Sequence, residues 1–242
     1  MKILVDTHTH TVSSGHAYST LYENAKVARR KGLEMIAITD HGPSMEGAST
    51  RLHFSNMRVF PKKISGVRIL KGIEANIIEY DGTVDLKEVY LKKLDFVIAS
   101  LHDICLEPAD VHKNTSAYIG ALKNPLIDAL GHPGNPRFDI DIEKVVLAAK
   151  EYGKFIEINN HSFKSRKGSY ENCKNFALLC KEKGVKVVCG SDAHYCENVG
   201  RFGNVLELFK EVNMPEELVM NTSGENFEKY LEVRRKRIEK YI

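Results

Sequence analysis

The sequence predicts an α/β fold in which parallel strands alternate with helices around a barrel. Short apolar runs rich in β-branched residues recur along the chain, and most are continuously apolar, as expected for strands covered on both faces. Their starts are spaced by roughly thirty residues, the length of one strand-and-helix unit. The predicted strands are Lys2–Asp6, Glu34–Thr39, Val67–Ile73, Asp95–Ser100, Ile127–Gly131, Lys154–Asn159 and Val185–Gly190.

Helix signals occupy most of the gaps between these runs. Thr20 and Glu23 form a capping-box pattern, followed by an apolar face that ends at Gly32. Asp141 can cap a second helix that ends at Gly153. Because no linker separates the units, we expect one closed or nearly closed barrel domain over residues 1–242, with an open doubly wound sheet as the alternative. Further helices are predicted at Arg51–Phe60, Tyr170–Lys183, Asn204–Val212 and Glu225–Lys240.

Composition indicates a globular protein with no special affinity for polyanions. Hydrophobic residues make up 43% of the chain, and the net charge of +3 is too small to indicate nucleic acid or membrane as a partner. The dense basic run Arg234–Arg237 is interpreted as a solvated helix end. Five cysteines without a CxxC pair favour reduced thiols, and no signal-peptide or membrane-spanning pattern is found. We therefore expect a cytoplasmic protein, with the oligomeric state left open.

Histidines and acids gather at the carboxyl ends of the predicted strands. Seven of the ten histidines lie within a few residues of such an end, where barrels of this type carry their active sites. A single histidine there is more often structural, but so many imidazoles at one rim would repel one another unless cations bound them. The sequence therefore predicts a multi-metal cluster, whose candidate ligands are His8, His10, His16, His41, Glu74, His102, His132, Asp192 and His194.

These residues lie in motifs that resemble those of the PHP family (polymerase and histidinol phosphatase). The resemblance covers essentially the whole chain and is greatest to stand-alone phosphatases with a trinuclear zinc site in a distorted seven-stranded TIM-like β/α barrel. The motifs are Asp6-Thr7-His8-Thr9-His10, Thr39-Asp40-His41-Gly42, Gly72-Ile73-Glu74, Ser100-Leu101-His102, Gly131-His132-Pro133 and Gly190-Ser191-Asp192-Ala193-His194.

The resemblance implies how the ligands divide among three divalent ions. Imidazole and carboxylate donors suit zinc, manganese or iron better than magnesium, and zinc is our first choice. One ion would be held by His8, His10, Glu74 and Asp192, a second by Glu74, His102 and His132, and the third by His16, His41 and His194.

Such a site predicts a metal-dependent phosphatase that hydrolyses small phosphate monoesters by in-line attack of metal-bound hydroxide. Arg166, in the loop after the sixth strand, is a candidate phosphate clamp, because a guanidinium can donate two parallel hydrogen bonds. A solvated basic loop is the alternative for this residue. His161, in the same loop, is a candidate proton donor to the leaving group. Asp6, Asp40 and Asp103 adjoin ligands and are candidates for orienting imidazoles, with a helix cap or a solvent-facing position as the equal alternative for Asp103.

Three other functions remain open at this point. A nuclease or phosphodiesterase acting on nucleic-acid ends would use the same metals, but no basic groove is evident in the sequence. A deaminase-like or amidohydrolase-like enzyme often needs a bridging lysine, and no lysine lies at a predicted strand end. A non-catalytic metal-binding module is the fourth reading, which the complete ligand set disfavours. The sequence does not identify the physiological substrate.

Overall fold

The computed structural model describes residues 1–241 and consists of a nearly closed barrel of parallel strands with flanking helices. The strand order is β1-β2-β4-β5-β6-β7-β8, and the short β3 pairs antiparallel with β4. The predicted fold class is confirmed. The strands are β1 (Val5–Thr9), β2 (Met35–Ile38), β3 (Lys63–Ile64), β4 (Val67–Asn76), β5 (Phe96–Ser100), β6 (Ala129–Leu130), β7 (Phe155–Asn159) and β8 (Val187–Gly190).

The α-helices occupy the gaps that the sequence assigns to them. Among the described residues they are α1 (Leu21–Arg30), α2 (Arg51–Asn56), α3 (Glu88–Leu91), α4 (Val111–Lys123), α5 (Ile142–Tyr152), α6 (Ser162–Ser165), α7 (Ser169–Lys183), α8 (Gly203–Glu211) and α9 (Gly224–Tyr241). The predicted capping box is present, since the Thr20 hydroxyl accepts from the Glu23 amide and the Glu23 carboxylate accepts from the Thr20 amide. Gly153 ends α5 in the left-handed conformation, with φ of 63°.

The barrel closes between the first and the last strand. A parallel bridge joins Thr9 to Ala193, just beyond the end of β8. The Asp192 amide donates to the His8 carbonyl at 2.9 Å, and the His10 amide donates to the Ala193 carbonyl at 2.9 Å. These hydrogen bonds argue against the open doubly wound sheet, and they bring the first and last sequence motifs together at one rim.

Two predicted strand boundaries are wrong in a way that affects the site. The first strand, predicted as Lys2–Asp6, spans Val5–Thr9, so it both begins and ends three residues later than predicted. Before it, the Leu4 amide donates to the Asn221 carbonyl. His8 therefore lies within β1, and β4 runs on to include Glu74. Both side chains project from strand backbone, although the pairing of β1 with β2 shifts register between Asp6 and Thr9, on either side of His8. A strand holds a ligand more rigidly than a loop does.

Helix α9 covers the amino-terminal end of the barrel. Its Phe227 and Leu231 join the inner apolar cluster, which includes Val5, Phe96 and Phe155 from the strands. This core fills the amino-terminal part of the barrel, so the polar side chains at the carboxyl end pack against apolar residues beneath them. No helix among residues 1–241 is both long and apolar enough to cross a membrane.

The interpretation of the terminal basic run as a solvated helix end is wrong for Arg234. This side chain is only 3% exposed, and its Nε donates to Oδ2 of Asp128 at 2.6 Å. Its other nitrogens donate to the carbonyls of Leu94 and Leu126. Arg237 binds the second oxygen of Asp128 at 2.5 Å. Arg234 follows Leu231 at helical spacing on the buried face of α9, which is why it turns inward.

Candidate metal centre

Glu74 lies at the middle of a cluster of histidines at the carboxyl end of the barrel. Its Oε2 is 2.8 Å from Nδ1 of His41 and 3.3 Å from Nε2 of His8. Its Oε1 is 2.8 Å from Nε2 of His132 and 3.3 Å from Nε2 of His102. One buried carboxylate thus faces imidazoles from four different strand ends.

The remaining candidate ligands adjoin this group. Nε2 of His10 lies 3.2 Å from Oδ1 of Asp192 and 3.1 Å from Nε2 of His8. The ring of His194 is 4.3 Å from that of His10, centroid to centroid, and the ring of His16 is 4.8 Å from that of His194. All nine predicted positions therefore meet in one contiguous cluster, although His16 is the most exposed of them.

Several close contacts in the cluster are not hydrogen bonds. Nδ1 of His41 and Oε2 of Glu74 are buried and lie 2.8 Å apart, yet neither has a hydrogen-bond partner, and Nε2 of His102 is also unpaired. Donor atoms converging in this way fit a shared cation, which would satisfy them together. Three sets of ligand atoms lie within 4.8 Å of one another: His8, His10 and Glu74; His41, Glu74 and His102; and His10, His41 and His194.

Burial keeps several of these imidazoles neutral, which is the form that binds metals. The pKa of His10 lies well below its ordinary value because of burial and the neighbouring His194 and His41. Burial, followed by the charge of Arg166, lowers the pKa of His132 to about 4. Their ring nitrogens are therefore free to donate a lone pair at neutral pH.

The two acids of the cluster are ionised. Burial raises the pKa of Glu74, but the nearby His8, His41 and His102 outweigh it and hold that pKa well below its ordinary value. Burial opposes ionisation of Asp192 as well, and again its imidazole neighbours lower the pKa well below the usual range. Buried carboxylates at the centre of the cluster supply the negative charge that divalent cations require.

Two candidate ligands have strained backbones. His132 has φ of 30° and Asp192 has φ of 52°, both in the left-handed region that side chains other than glycine rarely adopt. Each such residue costs about 1–3 kcal/mol and persists where surrounding structure enforces it. Aspartate and histidine adopt this region more readily than most residues, and Ser65 and Asn213 also have positive φ, so the conformation alone does not mark a functional position.

Glu157 is a buried acid in this region that the sequence analysis missed. Its Oε1 accepts from Nδ1 of His8 at 2.8 Å, and its Oε2 accepts from the His132 amide at 2.7 Å. Burial lowers the pKa of His8, but Glu157, Glu74 and Asp192 together raise it well above its ordinary value, so a cation bound at Nε2 would have to displace a proton. The contact with Glu157 occupies Nδ1 of His8. Glu157 therefore orients His8 so that Nε2 faces the cluster. Its position inside the apolar strand β7 was a signal that could have revealed it.

The close approach of Glu157 depends on a glycine. A Cβ added at Gly190 would lie 2.0 Å from Oε1 of Glu157 and 2.5 Å from Cβ of His8. Only glycine leaves room for this pair where β7 and β8 adjoin β1. The glycine of the last motif is thus required by the packing around the cluster.

Two further polar chains orient histidines. Nδ1 of His10 is 2.9 Å from the Ser14 hydroxyl, which donates to Asp40 at 2.7 Å. Nδ1 of His102 is 2.8 Å from the side-chain oxygen of Asn76. Asp40 therefore contacts no ligand imidazole directly in this chain of bonds but orients His10 through Ser14.

Neither Asp6 nor Asp103 contacts an imidazole: the suggested role is wrong for Asp6, whereas Asp103 takes the solvent-facing position that was its alternative. Asp6 is buried and accepts from the backbone amides of His8, Ser191 and Gly200. It therefore stabilises the backbone that carries ligands without contacting an imidazole. Asp103 pairs with Arg137 at 2.9 Å, and both side chains are largely exposed.

Arg166 and His161 both lie beside the cluster. Nη1 of Arg166 is 3.4 Å from Oδ2 of Asp192 and 3.0 Å from the Ser162 hydroxyl. The ring of His161 is 6.2 Å from that of His194. Burial lowers the pKa of His161, and Arg166 acts in the same direction, although Asp192 opposes it.

Comparison with known proteins assigns the chain to a family. The family model described as "PHP domain" matches residues 6–161, which include seven of the nine predicted metal ligands. The chain belongs to the PHP family. A "probable phosphatase" of Acetivibrio thermocellus is 61% identical over 238 residues, covering 98% of this chain and 99% of that protein. A "probable phosphatase" of Clostridium botulinum is 51% identical, covering 96% and 95%. The predicted family and enzyme class, a phosphatase, are thus confirmed.

Solved structures share the PHP fold. A histidinol phosphate phosphatase from Lactococcus lactis, crystallised with zinc, L-histidinol and phosphate, superimposes with a TM-score of 0.62 and 16% identity. The superposition covers 89% of this chain and 95% of that one. At this identity the similarity is one of fold.

Proposed function

We propose that this PHP protein hydrolyses phosphate monoesters of small molecules at a centre of three divalent metal ions. The observation that carries the proposal is the position of Glu74, whose two buried oxygens face four imidazoles. Nδ1 of His41, Oε2 of Glu74 and Nε2 of His102 have no hydrogen-bond partner, and a bound cation would satisfy them together. The predicted and confirmed phosphatase class gives the chemistry for which such a centre is suited.

The nine clustered side chains would hold the ions, and zinc is the metal we propose, with manganese or iron as alternatives. Bound cations would supply an activated water and neutralise charge on the phosphoryl oxygens. We retain the division implied by the family resemblance, in which Glu74 is shared by two ions and Asp192 binds one of them. The proximity of His8, His10 and Glu74 agrees with the first of these sets, whereas the other two groups of converging atoms combine His41 with ligands of the other ions.

The remaining polar groups of the rim would bind and orient the substrate. Arg166 adjoins Asp192 and is only 20% exposed, so its guanidinium can place two donors on a phosphoryl oxygen pair at the edge of the cluster. His161 lies beside His194 and would give a hydrogen bond, and finally a proton, to the leaving oxygen. A bound phosphate dianion would favour the protonated imidazole that this step needs.

Replacement of Arg166 tests its role as a clamp. We expect Arg166→Ala to raise KM for an aryl phosphate by about tenfold or more, because a charge-assisted pair of hydrogen bonds is lost. Lys167→Ala is the matched control, since Lys167 is the next residue of the same loop and is exposed. Metal content must be measured alongside the kinetics. A fall in metal content with unchanged KM would show that Arg166 only supports Asp192.

A panel of esters tests the proposed reaction. Protein loaded with zinc, manganese or iron should release inorganic phosphate from p-nitrophenyl phosphate, a sugar phosphate and histidinol phosphate. It should act far more slowly on a phosphate diester and on a labelled oligonucleotide, because a terminal dianion matches three cations best. Fully metal-loaded protein that cleaves only the oligonucleotide would favour a nuclease, and one that cleaves no ester would contradict the proposal.

A further inference from the structure

A groove of about 550 Å³ lies on the outside of the barrel, away from the metal centre. It runs between the first residues of the chain, the end of α1 and the start of α8, and its volume is typical of small-molecule sites. We call it the basic groove. Among residues 1–241 no acid lines it, and its charged lining residues are Lys2, Lys31, Lys164 and Arg201.

Two of the positive charges of the basic groove, those of Lys31 and Arg201, act on each other. Nζ of Lys31 is fixed by hydrogen bonds to the carbonyls of Glu197 and Val199, at 2.7 and 2.6 Å. Burial lowers the pKa of Lys31, and the neighbouring charge of Arg201 is the next cause. The Glu197 carboxylate attracts both Lys31 and Arg201, but it is already bound by Arg30 at 2.5 Å. An anion in the groove would relieve this repulsion.

The floor of the basic groove is apolar. Ile3, Leu33 and Phe202 form its nearly buried base, and Met1, which is 45% exposed, and the half-buried Leu206 add apolar surface that a ligand could cover. The amide side chains of Asn160 and Asn204 complete the wall. An inorganic ion alone would leave this floor uncovered, whereas a ligand with an apolar body would cover it.

We propose that the basic groove binds an organic phosphate, a small molecule that combines an apolar body with at least two negative charges. The site is separate from the metal centre, and binding there does not depend on the proposed hydrolysis. It adjoins the catalytic rim through α6, because Lys164 lines the groove two residues before Arg166. The occupant is either a second molecule of the substrate or a different effector.

Phenylphosphonate is a suitable probe, since it carries an aromatic ring and a dianion and has no phosphate ester bond to hydrolyse. Calorimetry on the metal-loaded protein should detect two equivalents, one at the metal centre and one in the groove. The double variant Lys2→Gln/Arg201→Gln should bind one of the two equivalents about tenfold more weakly. In the wild-type protein, the affinity for that equivalent should fall as the salt concentration rises. The kcat/KM for p-nitrophenyl phosphate should stay within about twofold, because neither residue contacts the metal centre.

Lys123→Gln/Lys150→Gln is the matched control, as it removes two exposed charges from α4 and α5. Lys164→Glu provides a second test within the groove. The site would be refuted if the groove double weakened no phenylphosphonate equivalent, or if the groove and control doubles lost equal affinity. A single wild-type equivalent that only the groove double weakens would support the site and count against phosphonate binding at the metal centre. Equal affinity for phenylphosphonate and inorganic phosphate would refute the apolar contact. Competition by the substrate panel then separates a second substrate molecule from a different effector.

Discussion

A Glu74→Gln variant is expected to lose bound metal and, with it, phosphate-ester hydrolysis by about three orders of magnitude or more. The substitution keeps the size of the side chain but removes the negative charge that faces His8, His41, His102 and His132. An amide also offers one oxygen where the carboxylate offers two. Elemental analysis of purified protein and initial rates with p-nitrophenyl phosphate would measure both losses.

Glu157→Gln is the graded comparison for this experiment. It makes the same chemical change to another buried acid of the rim, but Glu157 contacts Nδ1 of His8 and the His132 amide and is not among the proposed ligands. We expect metal affinity to fall by about 10- to 100-fold, with activity restored by excess metal. If Glu74→Gln kept its full metal content, or if excess metal rescued both variants equally, the proposed sharing of Glu74 between ions would be wrong.

The part of the site predictable from sequence was the set of residues at strand ends. Apolar runs with regular spacing locate parallel strands, and parallel strands in a barrel bring their carboxyl ends to one rim. Nine separated residues could therefore be placed together without a structure. His8 and Glu74 were expected just after their strands and lie within them, because the exact end of a strand depends on pairing with neighbours that are distant in sequence.

The groups that the sequence did not reveal act through long-range contacts. Glu157 occupies an apolar strand, and only the structure shows that it reaches both His8 and His132. Ser14 links His10 to Asp40 through a loop whose path has no periodic signal. Which ligand atoms share a cation depends on side-chain directions to within a fraction of an ångström. Residue types and spacing therefore predict the cluster but not its internal division.

Arg234 shows the same limit at the other end of the barrel. A basic run near a chain end is usually solvated, and the local sequence supports that interpretation. Its burial follows from the packing of α9, in which Phe227 and Leu231 on the same face enter the barrel core. Its partner, Asp128, lies 106 residues earlier in the chain, directly before β6. A tertiary contact of this separation has no local sequence signature.

Arg234→Met is expected to lower the free energy of unfolding by about 3–5 kcal/mol. Methionine fits the apolar surroundings, but the change removes the donors that satisfy Asp128 and the carbonyls of Leu94 and Leu126. Arg237 and the Tyr230 hydroxyl still donate to Oδ1 of Asp128 and the Val97 amide still donates to Oδ2, so the cost comes from the lost charge partner at Oδ2 and from the two buried carbonyls. Denaturant unfolding followed by circular dichroism would measure the loss.

Arg235→Met is the matched control, because Arg235 is the next residue of α9 and is exposed, so we expect a change within about 0.5 kcal/mol. Burial raises the pKa of Asp128, but Arg234 and Arg237 outweigh it and lower that pKa below its ordinary value. The folded carboxylate thus binds protons less readily than the unfolded one, so its stabilising contribution is present at neutral pH and is lost as acid protonates it. The difference between the two variants should therefore shrink at acid pH. Equal stabilities for Arg234→Met and Arg235→Met at neutral pH would show that the pair does not anchor α9 beneath the barrel.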